Sequence, residues 1–352
     1  MSFDFTEIPV VDLGTADDEQ ALALRIGKIC HEVGFFLVIN HGVPQQLTDD
    51  AFAKAAEFFA LPTEQKLSID KRRSRHFRGW EPEGAEFTNN RPDIREQIDL
   101  WTPHQSRAVD VEPKYLRLLG PNQWPPADYV PGLQATVETW INHASRLADR
   151  LMRIMAISLE LNPAYFANAF GVERMSLCKI IHYPPTPPGQ FGVNAHHDAG
   201  FLTLLAPGTT PGLEVENASG DWISVPIVPG SLVVNLGEVV QKITGNYFVA
   251  TPHRVNTSAK RQSMGYFHGP SLDMRISALQ LAPHFAQAVA ASPRHANAGF
   301  MIQADEARAG AADMSSSEHP EIYGEQLWNY FARSYPDNVR HHYPSSVQST
   351  VT

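Results

Sequence analysis

One short stretch, Ala195-His196-His197-Asp198, contains side chains that could hold a metal ion. Side chains alternate across a β-strand, so a His and an Asp two residues apart on a strand share a face. On that reading His196 and Asp198 point together and His197 points away. A third imidazole from a later strand, His253 in Thr251-Pro252-His253-Arg254-Val255, would complete a set of two His and one carboxylate on one side of a ferrous ion. Such a set leaves the opposite coordination positions open for O2 and a co-substrate. His197 is read as a packing residue or a neighbour of the ligands.

The pattern alone is weak. With 15 His and 38 acidic residues in 352 positions, chance supplies about one or two His-x-Asp/Glu matches. A second match, His319-Pro320-Glu321, contains a proline that argues against a central strand, and it reads as a loop or a helix start. His196 and Asp198 lie instead between Gly192 and Phe201-Leu202-Thr203-Leu204-Leu205, a run with the character of a buried strand. Farther on, Arg261-Gln262-Ser263 places a guanidinium fork and a hydroxyl on one strand face. Inside an apolar barrel that pair would receive a carboxylate; taken alone, Arg261 would be a surface residue of a hairpin.

The elements that must position these residues are legible in part. Short strands at Ile8–Leu13 and Gly34–Gly42 alternate with a helix from Gln20 to Val33 and another reaching about Phe59, which reads as an α/β cap. Residues 70–130 are poorly periodic and rich in Arg, Pro, Asn and Trp. They are expected to form an irregular excursion over the mouth of the molecule. Its clusters Lys71-Arg72-Arg73 with Arg75, and Arg91 with Arg95, read first as solvated loop charges and second as a substrate-facing lid. In that lid 75–101, including His76, Arg78, Trp80, Arg95 and Trp101, orders over a pocket for an anionic or zwitterionic substrate. From Gly132 to Leu161 apolar residues recur at helical spacing, which predicts one long scaffold helix. Between Ser176 and Phe267 the chain changes to short strands separated by Gly, Pro and Asn turns, as in a sandwich or barrel. Residues 278–318 are Ala-rich with no clear strand, and a last helix is expected from Ile322 to Tyr335.

Composition narrows the function classes. A chain of this length that is 43% hydrophobic can bury a sizeable core, and a net charge of -10 gives no footprint for nucleic acid. The two cysteines, Cys30 and Cys178, lie in apolar segments and read as reduced core thiols, which leaves no thiolate metal site. No secretory leader or membrane span is expected, so the expectation is a cytoplasmic protein without membrane or nucleic-acid partners, a monomer or weak homo-oligomer.

Together these motifs resemble the iron(II)- and 2-oxoglutarate-dependent oxygenase superfamily, and more closely its isopenicillin N synthase-like branch. The N-terminal motifs Ile8–Leu13, Gly34–Gly42 and Phe58–Pro62 are similar to that branch's cap. Gly212–Val215, Trp222–Pro226, Pro229–Gly237 and His253–Val255 follow its core in order. The resemblance implies a mainly β fold with flanking helices: a double-stranded β-helix (jelly-roll) core, an α/β N-terminal cap and a C-terminal helix. Residues 1–130 would be cap and lid, 131–280 scaffold helix and core, and 281–352 an extension carrying the terminal helix. Iron(II) would be held by His196, Asp198 and His253. Arg261 and Ser263, the R-x-S pair, would take the far carboxylate of 2-oxoglutarate, helped by Tyr183 in His182-Tyr183-Pro184. Asn235 and Gln241 would stand behind the ligands.

The implied activity consumes O2 and 2-oxoglutarate, with ascorbate as support, and releases succinate and CO2. It hydroxylates, desaturates or cyclises a small molecule, which the cationic lid suggests carries a carboxylate. His197 and Ile181 depart from residues common in relatives, Thr and Asn respectively, which leaves the substrate open. Three other readings remain at this point: an oxidase that needs no 2-oxoglutarate, as isopenicillin N synthase does; a metal- or ligand-binding protein without turnover; and a zinc hydrolase, which leaves Arg261 and Ser263 without a role.

Overall fold

Strands β1 (Val10–Asp12) and β2 (Phe35–Ile39) pair in parallel, and parallel neighbours need a crossover, here helix α1 (Glu19–Glu32). The Asp18 side chain caps α1 by accepting the Gln20 amide at 2.9 Å. Its inward stripe, including Leu22, Ala23, Ile26 and Cys30, is buried. The computed structural model describes residues 4–14, 18–88, 91–171, 173–292 and 322–344. Helices α2 (Gln45–Phe59) and α3 (Thr63–Lys66) lead into strand β3 (Gly79–Glu81), a small hairpin of β4 (Phe87–Thr88) and β5 (Arg91–Pro92), and strand β6 (Glu96–Trp101).

Helix α4 (Leu133–Ser158) is the scaffold helix expected from the spacing. Leu133, Val137, Trp140, Ala144, Leu147, Leu151 and Met155 are all buried on one face. It packs against α1 and α2 and lies over β9 (Leu202–Ala206) and β14 (Arg261–His268). Burying each Leu or Val of this stripe contributes roughly 1.5–3 kcal/mol.

The remaining strands are β7 (Leu177–Tyr183), β8 (Val193–His196), β10 (Leu213–Glu216), β11 (Trp222–Ser224), β12 (Leu232–Leu236) and β13 (His253–Val255), with helix α5 (Glu238–Ile243) after β12. They form two sheets. The larger has the order β1-β2-β12-β9-β14-β7-β6-β3 and the smaller β11-β10-β13-β8. The sheets face each other as the two walls of a double-stranded β-helix, and contacts cross the gap, such as Phe35 of β2 against the His253 ring at 5.6 Å. Both cysteines are buried free thiols, and among the described residues no helix is long and apolar enough to cross a membrane.

Helix α6 (Pro283–Ala291) occupies the start of the Ala-rich stretch. The helix expected at Ile322–Tyr335 is α7 (Tyr323–Ser334), followed by α8 (Pro336–His342). His319-Pro320-Glu321 lies outside the described residues. The segment 70–130 is less irregular than its sequence suggests, since β3 and β6 extend the large sheet beyond β7. On β6 the face carrying Gln97 and Asp99, in line with Arg95 just before the strand, is polar although it is buried, which hides the strand from a hydrophobic-pattern reading.

Candidate active site

Antiparallel pairing of β8 with β13 sets His196 directly opposite His253, and their rings lie 4.3 Å apart. Strand β8 ends at His196, so Asp198 stands in the loop just beyond it and is brought to the site by that turn rather than by strand alternation. Asp198 Oδ1 is 3.7 Å from His196 Nε2 and 3.6 Å from His253 Nε2. Donors bound at about 2.1 Å to one ion stand roughly 3–4 Å apart. Among the described residues this is the one cluster of three His, Cys, Asp or Glu side chains whose ligand atoms come within 4.8 Å of one another.

Each of the three side chains is oriented through its other polar atom. His196 Nδ1 donates to the Asn194 carbonyl at 2.9 Å and His253 Nδ1 to the Thr251 carbonyl at 3.1 Å, which turns both Nε2 atoms toward Asp198. Asp198 Oδ2 accepts from Thr203 Oγ1 at 2.5 Å and Asn235 Nδ2 at 2.6 Å. Burial, followed by the neighbouring His253, holds the His196 imidazole below its ordinary range. Burial pushes the Asp198 carboxyl up, but the two imidazoles and the Thr203 and Asn235 hydrogen bonds outweigh it and leave the group below the usual carboxylate range. Neutral imidazole beside an ionised carboxylate is the protonation state that binds a divalent cation.

The R-x-S residues meet the expectation of a shared inward face. Arg261 pairs in register with Tyr183 and Ser263 with Ile181. Arg261 is only 2% exposed, and among the described residues none of its three side-chain nitrogens has a hydrogen-bond acceptor; Ser263 Oγ also lacks a partner there. Burial lowers the basicity of Arg261, an effect partly offset by Tyr183. A buried guanidinium without an acceptor is costly, so this end of the barrel fits an anionic ligand. A dicarboxylate keto acid could chelate a metal with one end and engage Arg261 with the other. Gln241 is farther back than the sequence suggested: its Oε1 accepts the Ala250 amide and steadies the loop before β13.

A cavity of about 190 Å³ runs from His196 and Asp198 to α7, and His253, Tyr183, Arg261 and Ser263 do not line it. Phe87, Trp101, Phe267, Leu327, Tyr330 and Phe331 supply apolar wall, and Glu86, Arg95, Asp99 and Lys179 form a charged corner. Of the lid residues expected from sequence, Arg95 and Trp101 reach the cavity, whereas His76, Arg78 and Trp80 do not line it. His76 bonds the Arg117 carbonyl, Arg78 the carbonyls of His76 and Leu118, and Trp80 the Glu96 carboxylate. His197 also lines the cavity, with Nδ1 3.9 Å from Glu238.

Sequence reading missed the charged corner. Arg95 binds Glu86 at 2.6 Å and Asp93 at 3.0 Å, and Lys179 binds Glu86 at 3.0 Å and Asp99 at 3.1 Å. Lys71 reaches Asp99 at 2.6 Å and also pairs with Glu81. Pairing with Lys179, Arg95 and Lys71 overcomes burial and holds Glu86 well below the usual carboxylate range, while burial leaves Asp93 above it. The available signal was Arg95-Gln97-Asp99-Trp101, a period-two row interleaved with the apolar Ile98 and Leu100.

Comparison with known proteins agrees with this geometry. Residues 8–127 match the family described as non-haem dioxygenase in morphine synthesis N-terminal, and residues 174–270 match the 2OG-Fe(II) oxygenase superfamily. A 2-oxoglutarate-dependent dioxygenase of Gibberella zeae is 36% identical over 287 residues, 79% of this chain and 74% of that protein. A homoarginine-6-hydroxylase of Glycine max is 30% identical over 302 residues, 79% of this chain and 90% of that one. The crystal structure of a full-length Neurospora crassa protein in complex with alpha-KG shares the fold, with a TM-score of 0.72 at 22% identity, covering 93% of this chain and 96% of the other. The chain therefore belongs to the iron(II)- and 2-oxoglutarate-dependent oxygenase superfamily and is a 2-oxoglutarate-dependent dioxygenase.

Proposed function

We propose that His196 Nε2, His253 Nε2 and Asp198 Oδ1 hold the iron, and that Arg261 and Ser263, flanked by Tyr183, receive the far carboxylate of 2-oxoglutarate. The observation that carries this reading is Arg261, a buried cation with no acceptor among the described residues, beside Tyr183, whose ring lies between the two sheets near Gly192. When bound, iron with 2-oxoglutarate and O2 supplies an oxidant strong enough to break a C–H bond, with succinate and CO2 as by-products and ascorbate as support. The protein's own share is binding, orientation and exclusion of water. The carbonyls of Asn194 and Thr251 fix the imidazole tautomers, and the aromatic residues of α7 with Trp101 keep the cavity dry.

The substrate is a small molecule with an apolar body, seated between the triad and α7 and hydroxylated, desaturated or cyclised there. Its polar end faces the charged corner. Arg95, Lys179, Glu86 and Asp99 already engage one another, but in the ion-pair cluster behind this wall the carboxyls of Glu81, Glu86, Asp93 and Asp99 outnumber the cations Lys71, Arg95 and Lys179, so an amine, amide or guanidinium end suits it better than a carboxylate. The name of the soybean relative fits this preference, since homoarginine carries a guanidinium. Residues 1–130 would serve as cap and lid and 131–280 as core, and within the 281–352 extension helix α7 with Tyr335 closes the cavity.

The test is succinate release from 2-oxoglutarate with ferrous iron and ascorbate, with and without a panel of matched amines, amides and acids. Stimulation by an amine or amide and not by its matching acid is the expected result. Stimulation by the acids alone removes the proposed polarity, and no succinate under any condition removes the assignment of the site.

A further inference from the structure

The three ligands differ in one respect. Each imidazole can present a single nitrogen to a metal, because the other is committed to a backbone carbonyl. A carboxylate has two equivalent oxygens and could bind through one or both. Binding through both would consume a position that a chelating co-substrate and O2 require. Asp198 is therefore the ligand whose denticity must be restrained by its surroundings.

Thr203 and Asn235 are cross-strand partners on β9 and β12, and both donate to the same atom, Asp198 Oδ2, at 2.5 and 2.6 Å. Hydrogen bonds to an ionised acceptor are about twice as strong as neutral ones. Turning Oδ2 toward the metal would break both. The backbone is held by the same segment. The Glu238 amide donates to the Asp198 carbonyl at 2.8 Å, Gly237 to Phe201 at 3.0 Å and Val239 to Gly200 at 3.1 Å. A Cβ at Gly237 would fall 2.2 Å from the Gly200 carbonyl oxygen and 2.8 Å from that of Asp198, so a side chain there would push the two segments apart. Residues 235–239 thus hold Asp198 by both its side chain and its main chain.

We infer that Thr203 and Asn235 act as a paired clamp that makes Asp198 a one-oxygen ligand and so preserves the coordination position used by the co-substrate. They are positioning residues, and their role rests on the assignment of the metal site above. Thr203→Val removes the hydroxyl at constant volume, Asn235→Leu removes the amide, and Thr203→Ser retains the donor.

Anaerobic Co(II) is the probe. Its visible d–d absorption reports coordination number, and 2-oxoglutarate is titrated into each Co(II) protein. For Thr203→Val with Asn235→Leu, the saturated Co(II) spectrum should shift toward higher coordination and 2-oxoglutarate affinity should fall at least tenfold. Thr203→Ser should keep the wild-type spectrum and affinity. If the double variant does not fold, Thr203→Val alone should show the same two changes to a smaller degree. An unchanged spectrum and affinity in folded Thr203→Val and in the double variant overturns the clamp. Parallel weakening of Co(II) and 2-oxoglutarate with an unchanged saturated spectrum also overturns it, because that is the signature of a merely structural role. Wild-type protein that binds no Co(II) sinks the site assignment itself, an outcome distinct from failure of the clamp.

Discussion

Arg261 and Tyr183 stand opposite each other on β14 and β7, with the guanidinium carbon 5.0 Å from the centre of the phenol ring. The ring covers one side of the cation without offering it a negative charge, so the position is prepared for an anion supplied from outside the chain. In Arg261→Gln, 2-oxoglutarate loses a desolvated charge partner worth on the order of 2–5 kcal/mol. Affinity for 2-oxoglutarate is expected to fall at least tenfold while iron binding is spared. Titration followed through the metal-to-ligand charge-transfer absorption of the anaerobic ferrous protein measures both, and equal affinities in variant and wild type would remove Arg261 from the co-substrate site.

His196→Ala, Asp198→Ala and His253→Ala should each abolish tight iron binding while leaving the fold intact, because the barrel has its own apolar core. His197→Thr should keep its metal, since the His197 side chain faces Glu238 and the cavity rather than the triad. Metal content after anaerobic reconstitution, with circular dichroism as the control for folding, decides between these outcomes.

Glu86 and Asp93 share Arg95 but should respond differently to loss of charge. Glu86→Gln leaves Lys179 with Asp99 alone and Arg95 with Asp93 alone in a buried site, a loss of up to about 3–5 kcal/mol. Asp93→Asn should cost less, because burial already opposes its ionisation. The signs give a pH test. A carboxyl depressed by folding, as Glu86 is, contributes stability that is present above the unfolded carboxylate range and is lost as pH falls toward the folded value. Wild type should therefore lose stability on acidification below about pH 4, and Glu86→Gln should show a flatter acid limb in denaturant titrations at several pH values.

Gly237→Ala should be far more damaging than its size suggests. Its φ of -104° is ordinary, so the cost comes from the approach to the Gly200 carbonyl and not from backbone strain. A lower melting temperature together with weakened metal binding is expected. A variant with the wild-type values of both would show that the 198–200 loop can move aside freely.

The scaffold helix, the terminal helix and the cluster proposed to hold the metal were legible because each left a periodic or typed signal: apolar spacing through α4 and a His-x-Asp beside a strand, with Arg-x-Ser on one face of a later strand. The charged corner was not. Arg95, Asp99 and Lys179 look like surface residues in sequence, and only the pairing of β6 with β7 shows that they satisfy one another inside the sheet. His76, Arg78 and Trp80 illustrate the converse, since their types suggested ligand contact while their hydrogen bonds serve the surrounding backbone and Glu96. The Asp198 clamp lay between these cases. Asn235 fitted a family motif, but its partner Thr203 could be recognised only once β9 and β12 were side by side.

The place of β2 in the large sheet bears on protein engineering. β2 covers the free edge of β12, and the carbonyl of Val33, just before β2, accepts the hydroxyl of Thr251, whose own carbonyl sets the His253 tautomer. A fragment beginning at residue 131 would expose the β12 edge to intermolecular pairing and release the residue that aims a metal ligand. Grafting this barrel onto a foreign N-terminal segment would meet the same obstacle, so chimeras with related enzymes should exchange β1 through β2 together with β12 and the 249–253 loop, as one inherited block.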